Sequence, residues 1–193
     1  FRPAFVNRLD RNTSGILIGA KNLKTLQNLN EAIKNREIKK YYLTIVSGNV
    51  KDDFSVDINL KKDKNNVVKK TTKNEGKKSL TEFHLLKNIK GYSLLSVNLI
   101  TGRTHQIRVS LKEKDLFIIG DRKYGDERIN KKFRELGLDS QYLHNYKIVF
   151  ETEKFPNLKG RAFIYLPNKK MMDIAENIFE IDLGEKLNEK DNF

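Results

Sequence analysis

A chain of 193 residues is long enough for one domain with a substantial core, or for two small ones. Its 38 lysines and arginines outnumber 25 aspartates and glutamates; the formal charge of +13 favours a polyanionic partner, nucleic acid first and an anionic membrane second, although genome composition also enriches lysine, asparagine and isoleucine. The absence of cysteine excludes disulfides, thiolate catalysis and Cys-ligated metals, and with no secretory signal or apolar run near the roughly 20 residues of a membrane span, the expected setting is a reducing cytoplasm.

Residues 14–20 (Ser-Gly-Ile-Leu-Ile-Gly-Ala) read as a buried strand. From Asn22 to Asn35, Leu23, Leu26, Leu29 and Ile33 recur at helical spacing, with Asn22 placed as N-cap. A strand over about 38–46 ends at the turn signal Ser47-Gly48-Asn49. Phe54, Val56, Ile58 and Leu60 then alternate as in a half-buried strand. Eight lysines follow between Lys61 and Lys78, where only Val67-Val68 is apolar. This is an exposed hairpin or loop, either a solvated face or an electrostatic arm for a nucleic-acid backbone.

Residues 80–88 and 92–100 form a hairpin around Lys90-Gly91, and the stretch from Thr101 to Leu111 opens a short helix. After Phe117-Ile118-Ile119-Gly120-Asp121 comes a charged helix from Asp126 to Leu136, then strands near 142–150 and 162–165. Pro167 and Asn168 introduce an amphipathic helix carrying Met171, Met172, Ile174, Ala175 and Ile178. With no repeat or linker, residues 1–180 read as one α+β catalytic domain and 181–193 as a polar tail that frays.

Two segments concentrate ionisable groups beside glycine and hydroxyl residues: Asn7-Arg8-Leu9-Asp10-Arg11-Asn12-Thr13-Ser14-Gly15 and Thr101-Gly102-Arg103-Thr104-His105-Gln106-Ile107-Arg108. One offers a carboxylate between two arginines, the other two arginines and a histidine, and both adjoin strand-like runs. A carboxylate nucleophile beside an arginine-lined anionic site is the first hypothesis. His84, His105 and His144 do not have the spacing of a compact metal motif, so no metal is expected. His144 reads as a structural histidine and His84 as a residue of an exposed strand face. Asp121 is a turn or a structural ion pair, and Asp52-Asp53 a charged turn.

The first segment resembles the Arg-Leu-Asp-x-x-Thr-Ser-Gly signature of the RluA-type pseudouridine synthases, and the second is similar to their Gly-Arg-Thr-His-Gln-Ile-Arg motif. Arg36-x-Ile38-x-Lys40-x-Tyr42 followed by Gly48 resembles their tyrosine motif, and Ile119-Gly120-Asp121, Lys123-Tyr124-Gly125 and Leu143-His144 match further landmarks in order. The resemblance implies a mixed, largely antiparallel sheet flanked by helices, and isomerisation of uridine in ribosomal RNA or tRNA without cofactor or metal. It makes Asp10 the nucleophile, pairs Arg108 with it, and stacks Tyr42 on the target base with its hydroxyl a candidate base at the ribose. Arg8, Arg11, Thr13, Lys40, Arg103, Thr104, His105 and Gln106 become RNA-binding residues. The expected protein is a monomer.

Two departures stand beside the site: many relatives carry histidine where this chain has Asn7 and Ser110. Relatives also have strands before the aspartate motif, and Phe1 is not an initiator methionine, so the chain is expected to lack upstream sequence, including its N-terminal strands. The competing reading is an inactive RNA-binding protein on the same scaffold, acting in ribosome assembly. The intact Asp10, Tyr42 and Arg108 argue against it, because a pure binder needs none of the three.

Overall fold

The computed structural model describes residues 1–65, 67–72 and 74–188; Asn66 and Lys73 of the lysine-rich segment and the last five residues of the expected tail lie outside it. The chain opens with three two-residue strands, β1 (Ala4–Phe5), β2 (Ser14–Gly15) and β3 (Gly19–Ala20). The run 14–20 is therefore not one strand. β3 pairs antiparallel with β1, whereas β2 runs parallel to His144 and Asn145 in the main sheet. Gly15 makes the break: its φ is +124°, and a Cβ there would sit 2.3 Å from the carbonyl oxygen of Asn145.

The helix α1 (Leu23–Lys34) starts where Asn22 Oδ1 accepts the Thr25 N–H at 2.8 Å. It ends where Arg36 enters the left-handed region at φ +64° and Glu37 N–H reaches back to the Ala32 carbonyl. Its buried residues are Leu29 and Ala32; Leu23, counted in the apolar spacing, is exposed at the first turn. The sheet proper begins with β4 (Ile38–Ser47), buried along nearly its whole length, and β5 (Phe54–Lys62), which alternates as expected.

The lysine-rich segment is a hairpin built from the end of β5, β6 (Val68–Thr71) and the start of β7 (Lys77–Ile89). It is not wholly exposed. Val68 is buried against Leu60, Val109 and Tyr124. β8 (Tyr92–Leu99) returns along β7, and after it come α2 (Gln106–Lys112), β9 (Phe117–Ile118), α3 (Glu127–Glu135), β10 (Leu143–Phe150), a 3-10 turn at Pro156–Leu158 and β11 (Ala162–Ile164). Along the order β11-β10-β4-β8-β7-β5-β6 every neighbouring pair is antiparallel, with β9 added antiparallel beside β4. The sheet is thus mixed only through β2.

α4 (Lys169–Phe179) is capped by Asn168, which accepts the Met171 N–H at 3.0 Å, and buries Met171, Ile174, Ala175 and Phe179 in the main core with β4, β7 and β8. The polar tail expected from 181 begins instead with α5 (Leu183–Asn188), whose Leu183 and Leu187 enter the same core. Burying each such side chain stabilises by about 1.5–3 kcal/mol. Two apolar residues four apart in a polar stretch are too few to announce a helix, but they are enough to anchor one turn. A second core, of Leu29, Ala32, Ile38, Ile148 and Phe150, fastens α1 to the other end of β4 and β10. No helix among the described residues is long and apolar enough to cross a membrane.

Candidate active site

Asp10 lies in the turn before β2, and polar side chains strap that turn to β10. Gln141 Nε2 donates to the Arg11 carbonyl at 2.7 Å and to Thr13 Oγ1 at 3.2 Å, while Thr13 N–H donates to the Asp10 carbonyl at 2.9 Å. His144 Nε2 meets the Tyr165 carbonyl at 2.8 Å and its Nδ1 meets Ser14 Oγ at 2.7 Å. A carbonyl only accepts, so Nε2 carries the proton and Nδ1 accepts from the serine. Burial pushes the His144 pKa down, which keeps this neutral form in place. Asn7 belongs to the same strapping: its Oδ1 accepts the Ile18 N–H at 2.8 Å.

The second segment links β8 to α2. His105 stands at the helix start in the left-handed region, φ +53°. Gln106, expected to contact RNA, is buried, and its carboxamide is fully engaged within the protein. Oε1 accepts from Thr101 Oγ1 and the Arg103 N–H, and Nε2 donates to the Leu80 carbonyl and Thr81 Oγ1, all at 2.8–2.9 Å. It is a pin that shapes the 101–105 loop.

Arg108 projects from α2 towards Asp10, but its closer partner is Asp121. Nε and Nη2 form a fork on the Asp121 carboxylate at 2.7 and 2.8 Å, leaving Nη1 to reach Asp10 Oδ2 at 3.5 Å. Asp121 is thus the structural ion pair of the two alternatives open in the sequence. It also accepts the Lys123 and Tyr124 N–H groups. Burial pushes its carboxyl up, yet the guanidinium and these N–H groups bring it below the ordinary value. The same two carboxylates hold the Arg108 pKa above its usual value against burial.

Asp10 opens, with its side chain 16% exposed, into a cleft lined by Arg8, Thr13, Tyr42, Leu99, Gly102, Arg103, Thr104, Gln106, Ile107 and Leu143. Of the two adjacent tyrosines it is Tyr42 that lines the cleft; Lys147 sits over the Tyr41 ring. Burial, and then the Asp10 charge, push the Tyr42 hydroxyl far up, so the ring presents a neutral phenol. The remaining expected residues lie apart from this cleft. Arg11 is exposed, and Lys40 is buried beside a neighbouring cavity. His105 turns away to hydrogen bond with the Tyr124 hydroxyl at 2.8 Å through Nδ1. His84 pairs with Asp53 at 2.9 Å.

The RNA pseudouridylate synthase family model matches residues 1–113. The chain belongs to that family. It is 42% identical over 183 residues to ribosomal large subunit pseudouridine synthase D of Borreliella burgdorferi, a match covering 94% of this chain and 54% of the relative. It is 38% identical over 149 residues to ribosomal large subunit pseudouridine synthase C of Vibrio parahaemolyticus, covering 76% and 46%. The chain thus spans about half the length of these curated relatives. Among solved structures, human RNA pseudouridylate synthase domain containing 4 superposes with a TM-score of 0.68 at 22% identity, over 89% of this chain and 75% of that one. The corresponding human domain containing 1 gives 0.67 at 21%, over 91% and 80%. These likenesses establish the α+β fold of the family.

Sequence reasoning missed Gln141 as the strap of the aspartate turn and Asn145, whose Nδ2 donates to the Ile16 carbonyl at 3.0 Å just beyond β2, and it treated Tyr124 only as a landmark. Gln141 carried no local signal.

Proposed function

We propose that this chain carries the catalytic centre of an RNA pseudouridine synthase, with Asp10 as nucleophile on a uridine drawn out of its stack. The observation that supports this best is the Asp10 carboxylate in the cleft beside the buried ring of Tyr42, with the Arg108 guanidinium, fixed by Asp121, reaching it at 3.5 Å. The cleft offers the opposite electrostatics to a metal-dependent nuclease: one carboxylate among Arg8, Arg103 and Arg108.

The reaction breaks the N1–C1′ glycosidic bond and forms C5–C1′; the C5 proton leaves and N1 gains one, so atoms and charge balance with no redox change. Asp10 divides the step by attacking the ribose or the pyrimidine ring. Arg108 keeps a positive charge beside Asp10, and Tyr42 supplies an aromatic face for the uracil. The raised pKa of its hydroxyl favours stacking and water exclusion over service as a resting base. Extruding the base costs a few kcal/mol and least in a loop or junction, which favours such targets. Large-subunit ribosomal RNA is the first substrate to test, because two relatives carry it in their names; tRNA is the second. The setting is the cytoplasm and the working unit a monomer.

The test is tritium release from C5-labelled uridine in unmodified ribosomal RNA and tRNA. Release by the wild type is expected, with none from Asp10→Asn and RNA affinity of the variant unchanged, since little positive charge is altered. Equal release from both proteins would remove Asp10 from the mechanism.

A further inference from the structure

Three expected RNA contacts, Arg11, Lys40 and His105, lie outside the Asp10 cleft, and of these Lys40 alone is buried. It is 9% exposed, on β4, two residues before Tyr42 and on the same face of the strand. Among the described residues it has no ion pair and no side-chain hydrogen bond. Burying an ammonium group without a partner is among the costlier arrangements available to a fold. The chain does not lack carboxylates for lysines elsewhere: Lys39 pairs with Glu151, Lys61 with Glu75, Lys78 with Asp57 and Lys154 with Glu31.

Lys40 lines a cavity separate from the Asp10 cleft but sharing Arg8, Tyr42, Leu99, Gly102 and Arg103 with it. Lys34 and Arg36, at the end of α1, line it as well. Five cations thus surround one cavity, no carboxylate is among its lining residues, and none of the five enters an ion pair among the described residues. Burial has pushed the Lys40 pKa down, the expected state of a cation awaiting a counter-charge.

We propose that this cavity is a phosphate subsite, in which Lys40 binds a backbone phosphodiester of the RNA next to the nucleotide held at Asp10 and Tyr42. It rests on the RNA-modifying reading above and adds to it the group that fixes the register of the strand. Tyr42 belongs to both cavities, and Lys40 stands about 6.6 Å from it along β4, a step on the scale of one nucleotide. A phosphodiester supplies the missing anion, and the exposed Arg8, Lys34, Arg36 and Arg103 around the cavity suit a charged backbone passing over it.

The experiment measures binding of pentauridylate to wild type, Lys40→Met and Lys24→Met across a range of salt, together with the titration midpoint of the Lys40 ε-carbon resonance. Lys24 is an exposed lysine on α1, away from the cavity, and controls for loss of one charge. Lys40→Met is expected to weaken pentauridylate about tenfold or more, and to reduce the salt slope by about 0.7. Lys24→Met is expected to change neither appreciably. Lys40→Met is also expected to raise the melting temperature, because methionine fills the site without a charge to desolvate. Pentauridylate should raise the Lys40 midpoint, and uridine nucleoside should leave it in place.

Equal losses in the two variants, or a midpoint that pentauridylate does not move, overturn the subsite. A midpoint that inorganic phosphate raises as far as pentauridylate at the same concentration also overturns it, assigning the cavity to free phosphate instead. Because these readouts need no turnover, a protein that releases no tritium yet shows the Lys40 effects would lose the isomerase reading and keep this one.

Discussion

Arg108 commits two of its nitrogens to Asp121 and one to Asp10, and that division shapes the chemistry of both carboxylates. A guanidinium held by a fork has a fixed plane, so Nη1 is aimed at Asp10 without a search through rotamers. Asp121 is therefore a positioning residue, 1% exposed and absent from the lining of the Asp10 cleft. Asp121→Asn keeps the shape and removes the counter-charge. It should cost about 3 kcal/mol of stability in denaturant unfolding, because a buried cation is left short of a partner. Tritium release should fall through kcat with KM little changed, since the RNA-facing residues are untouched. The wild type should show the matching pH dependence. The depressed Asp121 pKa contributes stability that is present above the ordinary carboxylate pKa and lost as the pH falls through the folded value. A variant with wild-type kcat, or one as stable as the parent, would show that Arg108 is held by something other than this fork.

Between elements, the decisive link is the one joining the lysine-rich hairpin to the segment after β8. The Tyr124 hydroxyl accepts the Val68 N–H at 3.0 Å and meets His105 Nδ1 at 2.8 Å, while its ring lies 5.0 Å from the Arg108 guanidinium carbon. One side chain thus ties the hairpin strand β6 to the start of α2. Tyr124→Phe keeps the ring and leaves a buried N–H unpaired, a loss of about 1–3 kcal/mol. Amide exchange at Val68 and its neighbours should accelerate while β4 and β8 keep their protection; acceleration spread evenly over the sheet would mean the hydroxyl supports the fold as a whole. None of this latch was visible in the sequence, because Val68 and Tyr124 are 56 residues apart and hydrogen bonding to a backbone N–H leaves no pattern. What was legible had a local cause. α1 and α4 were readable from Asn caps and apolar spacing, and β5 from alternation. The 14–20 run misled because its two ends enter different pairings, Ser14-Gly15 with β10 and Gly19-Ala20 with β1, while Ile16-Leu17-Ile18 between them belongs to neither strand, a break made by the approach of Gly15 to Asn145. At the site, Asp10, Tyr42 and Arg108 were legible through their motifs. For Gln106 the motif implies RNA contact, and the pairing of its carboxamide within the protein leaves no mark in the sequence.

For the molecule as a whole, the charge of +13 is not spread evenly in effect. The hairpin carries eight of the lysines, but Lys69 pairs with Asp63 and Lys70 with Glu113, whereas Lys62 and Lys77 line a cavity that continues to Gly102, Arg103 and Thr104. Arg103 also lines the Asp10 cleft and the Lys40 cavity, so a basic track runs from the hairpin to the candidate nucleophile. Exposed ion pairs add little stability, but they place an anion where a phosphate would otherwise come. The lysines that release counterions on RNA binding should then be those on the track. Lys62→Met with Lys77→Met should lower the salt slope of pentauridylate binding by about 1.4, two charges at the single-strand value. Lys69→Met with Lys70→Met removes the same charge and should lower it by much less. Equal slopes for the two double variants would mean that the hairpin acts through its summed field, and its geometry would then add nothing to the site.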